Sequence, residues 1–216
     1  MSGNHKGKID VGALNQWASN VRDCHPSVQI YAATSGLDNV CSAEGLNLDL
    51  FSGLIMVYEP GFPNAPEFTW DKTRAEEIWR EAAGIIRSRG LKAWAKPSGR
   101  ALQGRDKAGQ WDYGVLATIM DGMNVQTQGS CKNNTYSEAL NDLVSQYHAA
   151  GAESDLFAQV TVSADQRNGV SASKAIACAK EAWVKPQIDR VTLWPDMGNQ
   201  REVEDYLELR EKLLTK

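Results

Sequence analysis

Polar and apolar residues alternate in six short segments of the chain: Gln29-Ile30-Tyr31, Met56-Val57-Tyr58, Trp94-Ala95-Lys96, Gln126-Thr127-Gln128, Gln159-Val160-Thr161 and Thr192-Leu193-Trp194. One face of each is β-branched or otherwise apolar, and the other carries amides, hydroxyls, aromatic rings or lysine. That is the two-residue period of a strand. The pattern predicts strands over 28–34, 54–58, 91–96, 123–128, 157–162 and 188–194. Helical spacing of apolar residues predicts helices over 11–22, 72–89, 112–121, 136–150, 171–184 and 200–214, with Asp10 and either Thr69 or Asp71 as N-caps of the first two. The stretch 37–53 reads as a loop with at most one short helix.

Strands recur roughly every 30 residues with a helix between them, as parallel βα units require. The fold class expected is α/β, a (β/α) TIM-type barrel that is incomplete or has degenerate first units, because six clear strands fall short of eight. An open doubly wound sheet and the later part of a longer barrel are the alternatives. The polar rows favour the barrel, since central strands of open sheets are usually apolar on both faces. At 216 residues the chain is expected to form a single domain over 1–216.

Composition narrows the partners. With 42% apolar and 23% charged residues this is an ordinary globular chain. A net charge of -4 gives no basic face for nucleic acid or an anionic membrane. No apolar run has the roughly 20 residues of a membrane span. The partner expected is a small-molecule or glycan ligand; self-association, or a second chain completing the barrel, stays open. Residues Met1 to Lys8 contain no hydrophobic signal region, so a secretory precursor is not expected, while a mature secreted form stays open. Cys24, Cys41, Cys131 and Cys178 form no CxxC pair and, with the histidines, no zinc-site spacing. Free thiols are expected, with a Cys24–Cys41 disulfide as the alternative. No cofactor motif is present: GxGxxG and GxxxxGK[ST] are both absent.

Barrel active sites lie at the carboxyl ends of the strands. That rule sets Asp121 and Asp189, which precede strands, on the opposite rim. It leaves Asp38, Glu59, Asp165 and Asp196 on the functional rim, with Glu59 as the acid/base candidate at the end of an apolar strand and Asp165 or Asp196 as a second carboxylate. If Met56 and Tyr58 point inward, alternation turns Glu59 outward. Tyr58, Trp94, Gln126, Gln128, Gln159 and Trp194 form the expected binding wall, rings to cover an apolar sugar face and amides to pair hydroxyls. Lys96 offers a rival function, a Schiff-base lyase or aldolase in which an amine desolvated inside a barrel attacks a carbonyl substrate.

The order of segments from Leu54 to Trp194 resembles the later half of family-18 chitinase-like glycosidase barrels. Leu54 to Glu59 is similar to the strand that ends in that family's catalytic glutamate, Met123 to Gln128 to its amide-bearing sixth strand, and Val191 to Trp194 to its last strand with a sugar-stacking tryptophan. Val28 to Gly36 matches the third strand in position, so the first two strands would be missing or reduced. The family's aspartates two, four and seven residues before the glutamate are replaced here by Val57, Ile55 and Ser52. The resemblance implies a carbohydrate-active barrel, either hydrolytic by simple acid/base chemistry or a catalytically inactive binding relative, and does not carry the family's substrate-assisted mechanism.

Overall fold

The structure is a computed structural model and describes residues 10–42, 45–60, 67–100, 112–162 and 170–195. Its centre is a six-stranded, all-parallel sheet in sequential order, β1 (Tyr31–Ser35), β2 (Gly53–Tyr58), β3 (Lys92–Pro97), β4 (Gly122–Gln126), β5 (Asp155–Val162) and β6 (Arg190–Pro195). Among the described residues β1 and β6 are unpaired edges. The helices are α1 (Val11–Cys24), α2 (Leu37–Ser42), α3 (Lys72–Ser88), α4 (Tyr113–Ile119), α5 (Gln128–Lys132), α6 (Tyr136–Ala149) and α7 (Ala172–Trp183). The predicted helix over 200–214 lies outside the described residues. The expected caps form: Asp10 accepts from the Ala13 amide at 2.9 Å and Asp71 from the Arg74 amide at 2.7 Å. Neither α2 nor α5 was predicted, apart from the one short helix allowed in 37–53; each has too few residues to show a helical period.

A sheet of sequential order, joined by crossovers of the usual right hand, carries its helices on one face. Burial follows that division. Leu54, Met56, Tyr58, Ala93, Ala95, Met123, Val125, Leu156, Ala158 and Val160 share one core with Ile78, Trp79, Ile86, Leu140 and Leu143 of the helices. The alternate row, here the inner face, is Tyr31, Ala33 and Ser35 on β1, Ile55 and Val57 on β2, Trp94 and Lys96 on β3, Asn124 and Gln126 on β4, Phe157, Gln159 and Thr161 on β5, and Arg190 and Thr192 on β6.

The inner face is filled by aromatic rings at the amino ends of the strands. Tyr31 meets Trp94 with ring centroids 5.2 Å apart, and Trp94 meets Phe157 at 4.7 Å. The Arg190 guanidinium lies 5.7 Å from the Phe157 centroid. These rings come from alternate strands, and the strands between them contribute glycine. A Cβ on Gly122 would lie 2.5 Å from the Trp94 indole, and one on Gly53 would lie 2.8 Å from the Tyr31 ring. Burial, and then the Asp155 carboxylate of β5, push the Tyr31 hydroxyl up, while Arg190 opposes them, so β1 is within electrostatic reach of β5 and β6 across this face.

Acidic residues ahead of strands pin the same end. Asp121 accepts from the Ala93 amide at 2.7 Å and from Arg87 at 2.8 Å, and Asp189 accepts from the Leu156 amide at 2.8 Å. Burial alone would push the Asp121 carboxyl up, but Arg87 and the Ala93 amide hold it below the usual carboxylate range. Both aspartates therefore have the structural placement that their positions before strands implied.

The cysteine expectation is corrected. Cys131 and Cys178 are joined in a disulfide between α5 and α7, while Cys24 and Cys41 are exposed thiols. Sequence separation concealed the pair, because the crossover brings together residues that lie 47 positions apart.

Two outcomes test this packing. Gly122→Ala should destabilise by about 1 to 3 kcal/mol in urea unfolding through overpacking, and Trp94→Leu in the same chain should recover part of the loss; independent, additive effects would contradict the contact. Unreduced, denatured protein should titrate two thiols, and reduction should expose four. For a loop of 47 residues the lost cross-link corresponds to about 4 kcal/mol by loop entropy.

Candidate functional site

At the carboxyl ends of the strands the inner row turns polar. Glu59 follows β2 directly and continues the row of Ile55 and Val57, because Leu54, Met56 and Tyr58 face the helices. The phase expected from Met56 and Tyr58 is thus reversed, and Glu59 points inward. Its Oε1 accepts from the Gln126 side-chain amide at 2.6 Å, a link that spans β2 to β4. Gln126 in turn accepts from Gln128 at 3.3 Å, and Gln128 from Gln159 at 3.3 Å.

The direction of this relay has a physical cause. The carboxyl oxygen of Glu59 accepts, so Gln126 offers its NH2 to Glu59 and turns its oxygen to the next amide. Repetition of that choice leaves the Gln159 Oε1 at the far end without a donor. Thr161 Oγ1, two residues on in the same row, also has no partner. Gln159 is 2% exposed and Thr161 3% exposed, so these are buried polar atoms of the kind that native proteins rarely leave unpaired. Thr161 belongs to the site although sequence reasoning did not select it; its alternation with Gln159 was the available signal.

Lys96 lies on the same inner row of β3, beside Val57 in the register and 7% exposed. Burial pushes its ammonium down to about 8, against the attraction of the Glu59 carboxylate. Beneath it, towards the aromatic layer, Thr192 donates to Asn124 at 2.8 Å, another contact between alternate strands. Beyond it, Gly99 allows the chain to pass the Gln126 carbonyl, which a Cβ there would approach to 1.9 Å.

Two members of the expected binding wall are placed elsewhere. Tyr58 is fully buried on the helix side, stacked on Phe68 and Trp79 at 4.0 and 5.0 Å, with its hydroxyl bonded to the Thr69 backbone. Burial pushes that hydroxyl up to about 12. Trp94 belongs to the aromatic layer at the amino ends, where its ring is packed between Tyr31 and Phe157. Trp194 is placed by its backbone register, opposite Thr161. Asp165 and Asp196 lie outside the described residues. The structure therefore brings together Glu59, Lys96, Gln126, Gln128 and Gln159 from the expected set.

No protein-family model and no curated protein sequence matches this chain. The site must be read from its own geometry. Among the described residues there is no cluster of three or more His, Cys, Asp and Glu able to hold a metal, and no helix is long and apolar enough to cross a membrane. A groove of about 720 Å³ lined by Arg87, Lys92, Asp121 and Glu153 opens at the amino ends of the strands, away from Glu59; its principal charges are already committed to the Arg87–Asp121 pair.

The Lys96 amine supplies a test of this site's polarity. Its proton is held to 10.5 in the unfolded chain and to about 8 in the fold. Below pH 8 both states are charged, and the buried cation destabilises the fold by about 3 kcal/mol. Between 8 and 10.5 the unfolded state binds more protons, so stability from this residue rises with pH. Lys96→Met should therefore be more stable than wild type at pH 7, with a difference that shrinks as urea titrations move from pH 8 to pH 10; a pH-independent difference would refute the desolvated site.

Proposed function

We propose that the protein is a carbohydrate-active (β/α) barrel that binds a polyhydroxylated, glycosidic ligand at the carboxyl ends of its strands, with Glu59 as the acid/base in hydrolysis of the bond. The observation that carries the reading is the amide relay anchored on Glu59 and ending in unpaired acceptors. A sugar hydroxyl both donates and accepts, so it can give its proton to Gln159 Oε1 and exchange hydrogen bonds with Thr161. The relay fixes one oxygen of Glu59 and leaves Oε2 to exchange a proton with a leaving group or water. Asp165 or Asp196 would supply the second carboxylate that glycosidic cleavage requires, since both follow strands in the sequence.

The barrel is supported by the sequential strand order and by side chains from alternate strands meeting in layers, as in Tyr31–Trp94–Phe157 and Asn124–Thr192. Closure would require further strands or a second chain between β6 and β1.

Calorimetry and hydrolysis assays on a panel of oligosaccharides and methyl glycosides test the function. The expected result is binding that weakens roughly tenfold in Gln159→Leu, from loss of a hydrogen bond of about 1 to 1.5 kcal/mol. Hydrolysis should fall at least a hundredfold in Glu59→Gln while binding persists. Binding without hydrolysis in the wild type would leave a catalytically inactive carbohydrate-binding barrel; absence of both would overturn the reading.

A further inference from the structure

We propose that Lys96 captures the free carbonyl group of a hydroxy-aldehyde or hydroxy-ketone as a covalent imine, an activity that rests on the polyhydroxylated-ligand reading above and narrows that ligand to one able to present an open-chain carbonyl. Three features of its placement meet the needs of this chemistry. The residue stands on the inner row of β3, 7% exposed, two positions above the buried Trp94 that floors the site. The Glu59 carboxylate acts on it electrostatically from the next strand, where Glu59 continues the row of Val57, the register neighbour of Lys96. Gln126, which holds Glu59 at 2.6 Å, fixes the carboxylate in place.

An imine-forming amine must be neutral when it reacts. With an ammonium that releases its proton at about 8, roughly one molecule in ten carries the free amine at pH 7, against about one in three thousand for a lysine at the ordinary value of 10.5. Desolvation thus singles out this lysine from those on the surface, such as Lys92 and Lys180.

The step balances without an oxidant or reductant. The amine lone pair adds to the carbonyl carbon, and the carbonyl π pair moves to oxygen. Glu59 takes a proton from the nitrogen and delivers it to that oxygen, giving the carbinolamine. A second transfer of the same kind, from N–H to the departing hydroxyl, releases water as the nitrogen lone pair closes the C=N bond. The ligand's neighbouring hydroxyls are held by the acceptors of Gln159 and Thr161, so the class recognised is a hydroxylated carbonyl compound rather than a simple aldehyde.

Reductive trapping tests the proposal directly. The intact protein is incubated at pH 7 with dihydroxyacetone or glyceraldehyde and cyanoborohydride, digested, and mapped by mass spectrometry. The expected result is an adduct on the Lys96 peptide at least about tenfold above that on Lys92 or Lys180, lost in Lys96→Arg. Should that variant fail to fold, the ratio of Lys96 to Lys92 labelling in the wild-type peptide map is sufficient to decide. Absence of an adduct, or labelling spread evenly over surface lysines, overturns the proposal. Methyl glycosides, which have no free carbonyl, separate the two readings: their binding without trapping sinks the Lys96 proposal and leaves the carbohydrate site, whereas failure of both binding and trapping removes the site itself.

Discussion

The contact between Trp94 and the bare backbone of Gly122 holds together the aromatic layer above which the polar end of the inner face is built. Adjacent strands lie about 4.8 Å apart, so alternate strands are separated by roughly 9.6 Å. Rings on β1, β3 and β5 nevertheless meet at 5.2 and 4.7 Å. They do so because each large ring reaches over the neighbouring strand, where Gly53 and Gly122 leave the intervening space open. Farther along the strands the Gln126 amide of β4 reaches across β3 to Glu59 in the same way. Contacts between alternate strands therefore recur from the aromatic layer to the polar end.

Along the strands the inner face changes character from an aromatic floor, through the Asn124–Thr192 pair, to the charged and amide-bearing end. This gradient has an electrostatic consequence. The floor removes solvent from the lower side of Lys96, and the attraction of Glu59 only partly offsets the lost hydration. An amine in that position is unfavourable for stability, which is the usual condition of groups retained for chemistry rather than for packing. The helix side shows the opposite arrangement: Tyr58 is equally buried, but its hydroxyl is bonded to the Thr69 backbone and its ring fills a stack.

Most of the architecture was legible in the alternation, because a period of two is imposed by backbone geometry. All six strands fall within a few residues of their expected positions, and the αβ order follows. What alternation cannot supply is absolute phase. Met56 and Tyr58 read as inward because a tyrosine beside a polar row resembles a binding residue, and that choice turned Glu59 outward. The true phase is set by Trp79 and Phe68, distant in sequence, which give Tyr58 a partner on the helix face. Trp94 faces the side that alternation implies, but it packs between Tyr31 and Phe157, partners on other strands that alternation does not reveal. The Cys131–Cys178 pair was hidden for the same reason, being a product of how α5 and α7 pack.

The relay itself could not be read from single residues, for its information lies in direction. Three glutamines near strand ends are individually ordinary surface or core amides. Joined to one carboxylate, they lose the freedom to choose which end donates. Glu59 fixes Gln126, Gln126 fixes Gln128, and Gln128 fixes Gln159, so a charge on β2 determines that β5 presents an acceptor. A ligand of the proposed kind would meet two separated points: the acceptor oxygen of Gln159 beside the Thr161 hydroxyl, and the carboxylate of Glu59. A uniformly apolar ligand satisfies neither, and an anion would meet the acceptor oxygen unfavourably. The proposed polyhydroxylated ligand would suit both, because one hydroxyl can donate to the relay's open end while another donates to the carboxylate.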